Sequence, residues 1–232
     1  MIYVIGDIHG NKEKFEDILE KTGFTKDDSA FVLGDVINMG ENSIEILQDM
    51  MYRPNIYPIL GEHEFMAKKV FPLIEKFRTI EEAMSSLKGE DKELFEKWLT
   101  MKSHKTTADF LMLNSEEKES IIDYLSEFEP YEEIEAGGKS FVLCHNGISN
   151  FSEEKDLEDY SDEDFIFGET NYSSIYFSDR YLVTGHTPTA MIDRALTGKV
   201  YSKKRHLAID CGCGYSGKLA AVCLDKLKVY YV

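Results

Sequence analysis

The chain has 232 residues, 43% hydrophobic and 12% aromatic, enough for a sizeable core and too apolar for disorder. Its 43 acidic against 26 basic residues give a net charge of −17, which excludes sequence-independent binding to nucleic acid or to an anionic membrane, since both need a basic face. No apolar run approaches the roughly 18 residues of a membrane span and no signal peptide is evident, so a soluble, cytoplasmic protein is expected. The four cysteines, Cys144, Cys211, Cys213 and Cys223, lie in apolar context and read as core thiols rather than disulfide or zinc partners.

Met1 to Ile5 is a short run of β-formers and predicts a buried strand. It leads into Gly6-Asp7-Ile8-His9-Gly10, a turn that sets a carboxylate and an imidazole two residues apart. Asn11 to Thr22 has Phe15, Ile18 and Leu19 at helical spacing, closed by Gly23. A second strand, Ala30 to Leu33, ends in Gly34-Asp35-Val36. A helix over Glu41 to Tyr52 and a strand over Asn55 to Leu60 follow, and the strand ends in Gly61-Glu62-His63-Glu64. Asp7 to Asp35 and Asp35 to His63 are both 28 residues, the length of a β-α repeat, so a parallel sheet is expected.

Residues 65–130 change character. Helical patterns run over Phe71 to Leu87, Asp91 to Met101 and Ser115 to Leu125, around the single Trp98. We read a helical cap inserted into one domain of residues 1–232. Strands return at Ser140 to Cys144, ending at His145, and at Tyr181 to Thr184, ending in Gly185-His186-Thr187-Pro188. Leu207 to Asp210 leads into a glycine-rich turn, and the chain closes on an antiparallel pair, Lys218 to Leu224 and Leu227 to Val232.

Residues able to ligate metal thus recur just past strand ends: Asp7, His9, Asp35, Glu62 or His63, His145 and His186. A single such histidine is more often a core or surface residue, but a set in register with strand ends is not. Mixed imidazole and carboxylate ligands suit two divalent ions, with Mn the leading expectation and Fe, Zn or Ni the others. Two ions held together can activate water and clamp a phosphoryl group.

These motifs resemble the calcineurin-like metallophosphoesterases. The branches they match best are the bacterial and phage protein serine/threonine phosphatases and the symmetrical dinucleoside-tetraphosphate hydrolases. The opening Gly-Asp-x-His-Gly motif is intact at Gly6 to Gly10, and the later histidines match at His145 and His186. The resemblance implies an α/β four-layer sandwich, two mixed β-sheets flanked by helices. It assigns Asp7, His9 and Asp35 to the first metal, with Asp35 bridging, and Glu62, His145 and His186 to the second. His63 would protonate the leaving group with Asn38 as its orienting partner. The activity implied is hydrolysis of a phosphomonoester of the phosphoprotein type. The alternatives are hydrolysis of a dinucleoside polyphosphate or other small phosphate ester, and a metal-binding module without turnover. A phosphorylated substrate is the implied partner.

Three departures stand out. Asn38 replaces the family's aspartate beside the catalytic histidine, Met39 replaces a phosphate-gripping arginine, and Glu62 replaces a neutral amide ligand. A further family arginine is missing from Phe165 to Glu169, where Arg180 and Arg194 are the nearby substitutes. His206 and His104 read as structural or surface residues, and Tyr172, Tyr176 and Tyr215 as packing residues that could line a groove.

Overall fold

A computed structural model describes all 232 residues. Two five-stranded mixed sheets stack face to face. The first has the order β10-β9-β1-β2-β3, built from β1 (Ile2–Ile5), β2 (Ser29–Val32), β3 (Ile56–Pro58), β9 (Ala220–Cys223) and β10 (Lys228–Tyr231). The second has the order β4-β5-β6-β8-β7, from β4 (Tyr131–Ala136), β5 (Lys139–Cys144), β6 (Tyr181–Thr184), β7 (Tyr201–Lys203) and β8 (His206–Ala208). Each sheet carries a parallel trio, β1-β2-β3 flanked on one side by the antiparallel pair β9 and β10, and β5-β6-β8 flanked on both sides by antiparallel β4 and β7.

Alternation along each strand divides its side chains between two cores. Val4, Phe31, Phe141, Leu143 and Val183 point between the sheets. Tyr3, Ile5 and Val32 point the other way, into a larger core shared with α1 (Lys12–Thr22) and α2 (Ser43–Met51). The outer face of the second sheet, through Val142, Cys144 and Leu182, is covered by loops that contribute Tyr160, Tyr176 and Phe177 and by Phe165 of a short helix, Asp162–Ile166.

Between β3 and β4 lie five helices: α3 (Glu62–Ile74), α4 (Ile80–Ser86), α5 (Gly89–Thr100), α6 (His104–Met112) and α7 (Ser115–Ser126). Phe71, Trp98, Phe110 and Ile121 join them to the large core, with the Phe71 and Phe110 rings stacked at 4.0 Å. The pattern over Phe71 to Leu87 is two helices, not one. A turn intervenes after Ile74, and Thr79 caps the second through its side chain. Helix α6 is not foreseen by the sequence pattern, and neither are β4 and β7. The last two are polar edge strands, Tyr-Glu-Glu-Ile-Glu-Ala and Tyr-Ser-Lys, whose outward acids and lysine hide the strand signal. The four cysteines are free and buried. No helix is long and apolar enough to cross a membrane.

Candidate metal centre

The carboxyl ends of the two parallel trios meet, and the residues there converge on Asp35. Such strand ends are where open α/β sheets bind ligands. β1 delivers Asp7 and His9, β2 delivers Asp35 and Asn38, and β3 runs into the first turn of α3 with Glu62 and His63. β5 delivers His145 and β6 delivers His186.

Two clusters share Asp35: one with His9 and His63, the other with His145 and His186, the ligand atoms of each lying within 4.8 Å of one another. Asp35 Oδ2 is 3.7 Å from His9 Nε2 and 3.8 Å from His63 Nε2, and its Oδ1 is 3.4 Å from His145 Nε2. The sequence-predicted Asp7 and Glu62 stand outside both clusters. Asp7 is buried, and both its oxygens accept the His186 backbone N–H, at 3.1 and 2.9 Å. Glu62 is half-buried. Asn38 sits against His63, its Nδ2 2.7 Å from Nδ1. Arg180 points elsewhere, paired with Glu133 and Asp179. His206 is buried against Tyr172, Tyr176 and Tyr201.

The local backbone is held under strain. His9, Asp35, Asn38, Met39 and His186 all lie at positive φ, between 47° and 68°, a conformation that costs non-glycine residues on the order of 1 kcal/mol or more each. Glu64 holds one stretch in place, its buried carboxylate accepting the N–H groups of Asp35, Val36 and Ile37 at 2.8, 2.9 and 3.0 Å. The Asp35 carbonyl in turn accepts the N–H groups of Ile8 and His9, tying the two ligand loops together. At Gly61 a Cβ would lie 2.3 Å from the Asp35 nitrogen and 2.7 Å from Oδ1, so only glycine allows this approach.

The chemistry of the donors fits a cation. His145 donates its Nδ1–H to the Leu33 carbonyl at 2.7 Å, and His9 makes the same longer contact to Ile37 at 3.4 Å. Each ring then turns an Nε2 lone pair toward the Asp35 carboxylate, and such outer hydrogen bonds are how metal-binding histidines are fixed. No lysine or arginine pairs with Asp7, Asp35, Glu64 or Asp210. Burial pushes Asp7 well above the usual carboxylate range, helped by Asp210 and Asp35. Burial, then Asp35, pushes Glu64 up to about 8 and Asp210 up to about 7. For Asp35 burial acts upward too, but His145, His63 and His9 outweigh it and hold the carboxyl low. Burial lowers His9 to about 4 and also lowers His186. Acceptors crowded together without a protein cation suit divalent ions.

Two buried carboxylates here are absent from the sequence-predicted set. Glu64 stands inside the Gly61-Glu62-His63-Glu64 motif. Asp210 follows β8 and Ile209 as Asp35 follows β2, so the strand-then-acid signal is present for it too.

Known proteins carry the same architecture. A symmetrical bis(5'-nucleosyl)-tetraphosphatase of Wigglesworthia glossinidia brevipalpis is 31% identical over 100 residues, 42% of this chain and 36% of that protein. The chain thus spans only about a third of that relative's length. Of solved structures, a protein provisionally assigned as a diadenosine tetraphosphatase superposes over 100% of this chain and 92% of its own, with TM-score 0.67 at 18% identity. A metallophosphoesterase of Sphaerobacter thermophilus superposes over 99% and 86%, with TM-score 0.53 at 16% identity. The sequence profile of the calcineurin-like phosphoesterases matches residues 1–223, and the chain belongs to that family.

Proposed function

We propose that this chain is a metal-dependent phosphoester hydrolase, with Asp35 shared between two divalent-ion sites. The observation that carries the reading is the pair of clusters meeting on the Asp35 carboxylate, His9 with His63 beside it on one side and His145 and His186 on the other, with His63 kept as the proton donor rather than a ligand. Asp7 and Glu62 complete the two sites in this proposal, one on each. Divalent ions bound there would supply Lewis-acid stabilisation of phosphoryl oxygens and a nucleophilic water at neutral pH.

The chain's own residues do the rest. His145 and His9 keep their Nε2 lone pairs on the site through their Nδ1–H contacts to carbonyls. Asn38 Nδ2 can only donate, so His63 Nδ1 accepts and the proton rests on Nε2, directed at the site. From there it hydrogen-bonds the departing oxygen. Glu64 keeps the Asp35 loop in its strained form.

Named relatives favour a dinucleoside polyphosphate as substrate, with the phosphoprotein reading second. The deciding experiment loads the protein with Mn²⁺ and offers diadenosine tetraphosphate, a phosphoserine peptide, an aryl phosphomonoester and an aryl phosphodiester. Turnover of at least one ester, with Asp35→Asn lowering kcat/KM by ~10³-fold or more and reducing bound metal, is expected. Two bound metals with no turnover of any ester would leave a binding module.

A further inference from the structure

The chain has a net charge of −17 and lacks the family's phosphate-gripping arginine at position 39, so a cation at the mouth would add to the hold that bound ions give a phosphate. Neither arginine nominated from sequence is aimed there by any contact. Arg180 is bound to Glu133, and the Arg194 side chain makes no hydrogen bond or ion pair. We propose that Lys102 is the cation that binds the substrate's phosphate oxygens, a role that rests on the hydrolase reading above.

Lys102 lies in the turn between α5 and α6, at φ 55°. Its carbonyl accepts the Met39 N–H at 3.2 Å, one residue from the Asn38 that holds His63. The turn is pinned to that loop a second time. Ser43 Oγ accepts the Asn38 N–H and the Thr106 hydroxyl of α6, both at 2.9 Å. The lysine therefore cannot drift from the site without moving the Asn38 loop. Its side chain reaches toward a second wall. Nζ lies 5.1 Å from the centre of the Tyr215 ring. The residue before it, Gly214, is flush with the site, since a Cβ there would lie 2.5 Å from His9 Cδ2. Lys102 thus spans from the Met39 loop to the Gly214 turn. Beside them is a cleft of about 300 Å³ lined by His9, Met39 and Gly214 and also by Lys12, Glu13 and Glu41, with Lys102 and Tyr215 outside its lining.

The charge on Lys102 is free for a ligand. It is exposed, and its Nζ has neither a carboxylate nor a carbonyl partner. The other lysines at this face are committed, Lys12 to Glu45 at 2.7 Å and Lys14 to the Gly217 carbonyl. Tyr215, 67% exposed, gives Lys102 only a weak cation–π resting place. A phosphate dianion offers charge-assisted hydrogen bonds that displace it.

The test uses Mn²⁺-loaded protein, with inorganic phosphate titrated by calorimetry beside KM and kcat for an aryl phosphomonoester. Lys102→Gln is expected to weaken phosphate binding and raise KM by about tenfold each, to lower kcat less, and to flatten the salt dependence of KM. Lys102→Arg should restore both to within a few-fold. Tyr215→Leu should leave phosphate affinity within about twofold, because it removes only the resting contact. Unchanged phosphate affinity and KM in folded Lys102→Gln, judged by Trp98 fluorescence, would overturn the proposal. So would a wild-type protein that binds no phosphate. If the wild type binds phosphate but hydrolyses no ester, the hydrolase reading fails, and the titration alone decides on Lys102.

Discussion

The contact between Asn38 and His63 has a direction. An amide nitrogen faces the imidazole Nδ1 at 2.7 Å, and the amide oxygen is buried without a partner. A carboxylate at position 38 would accept from Nδ1–H instead and favour the charged ring. The present amide donates to Nδ1 and offers the ring no acceptor there. Asn38→Asp is therefore expected to raise kcat by ~10-fold or more, a modest share of what general acids contribute. It should also add to the pH–rate profile a limb that falls as pH rises and the ring loses its proton. The profile of Asn38→Asp against wild type checks this, and in an Asn38→Asp, His63→Ala double variant the gain should vanish. Asp7, Asp35, Glu62 and His186 are visible as candidates in the sequence because each follows a glycine just past a strand, while His145 and Asp210 have no such glycine before them. The sense of the hydrogen bond is not readable, because it depends on how two side chains are turned.

Among the elements, the junction of β3 and α3 is tightly packed. Gly61 caps α3 with no side chain, and its Cα hydrogen occupies the only room beside Asp35. Gly61→Ala must push the β2 and β3 ligand loops away from each other, so we expect a loss of ~1–3 kcal/mol in stability, the usual cost of overpacking. At least one bound metal should go with it. Elemental analysis and a thermal melt measure both, and full metal content with an unchanged Tm would refute the argument. Buried strands are legible wherever their faces are apolar, as in β1, β2, β5 and β6. Those written largely in acids or lysine, β4 and β7, are not, because pairing at a sheet edge needs no apolar face. Helix α6 is hidden for a similar reason. Its buried face includes Thr106 and Thr107, and Thr107 accepts the indole N–H of Trp98 at 2.8 Å, a polar packing that periodicity of apolar residues does not reveal.

For the molecule as a whole, the buried carboxylates set how stability responds to pH. Asp210, pushed up to about 7, and Glu64, pushed up to about 8, keep protons when folded that the unfolded chain releases at about pH 4. The folded state thus binds more protons across that interval, and stability falls as pH rises. His9 and His206, both held at about 4 by burial, act oppositely, but only up to their unfolded value of about 6.5. Between about pH 6.5 and 8 the carboxyls act alone. The metal-free protein should then lose ~1 kcal/mol per pH unit for each proton retained, and Mn²⁺ bound nearby should lessen the slope by making these carboxyls release their protons at lower pH. Calorimetric melts in chelator and in Mn²⁺ across that range test it, and a flat metal-free profile would count against the cluster as drawn. The parallel trio of β1, β2 and β3 follows from the spacing of its strands, whereas the stacking of two sheets is what the family resemblance implies. The manner in which the chain ends join is only half visible in the sequence, as an antiparallel pair with no stated neighbour. In the molecule that pair closes on β1, with Tyr3 opposite Cys223. One ladder of β1, the strand that leads into Asp7 and His9, waits for β9, which follows every other strand but β10. Local helices can form meanwhile, but this long-range pairing makes for a high contact order and slow folding. The half-built sheet must be kept from pairing with a neighbouring chain until β9 has been made.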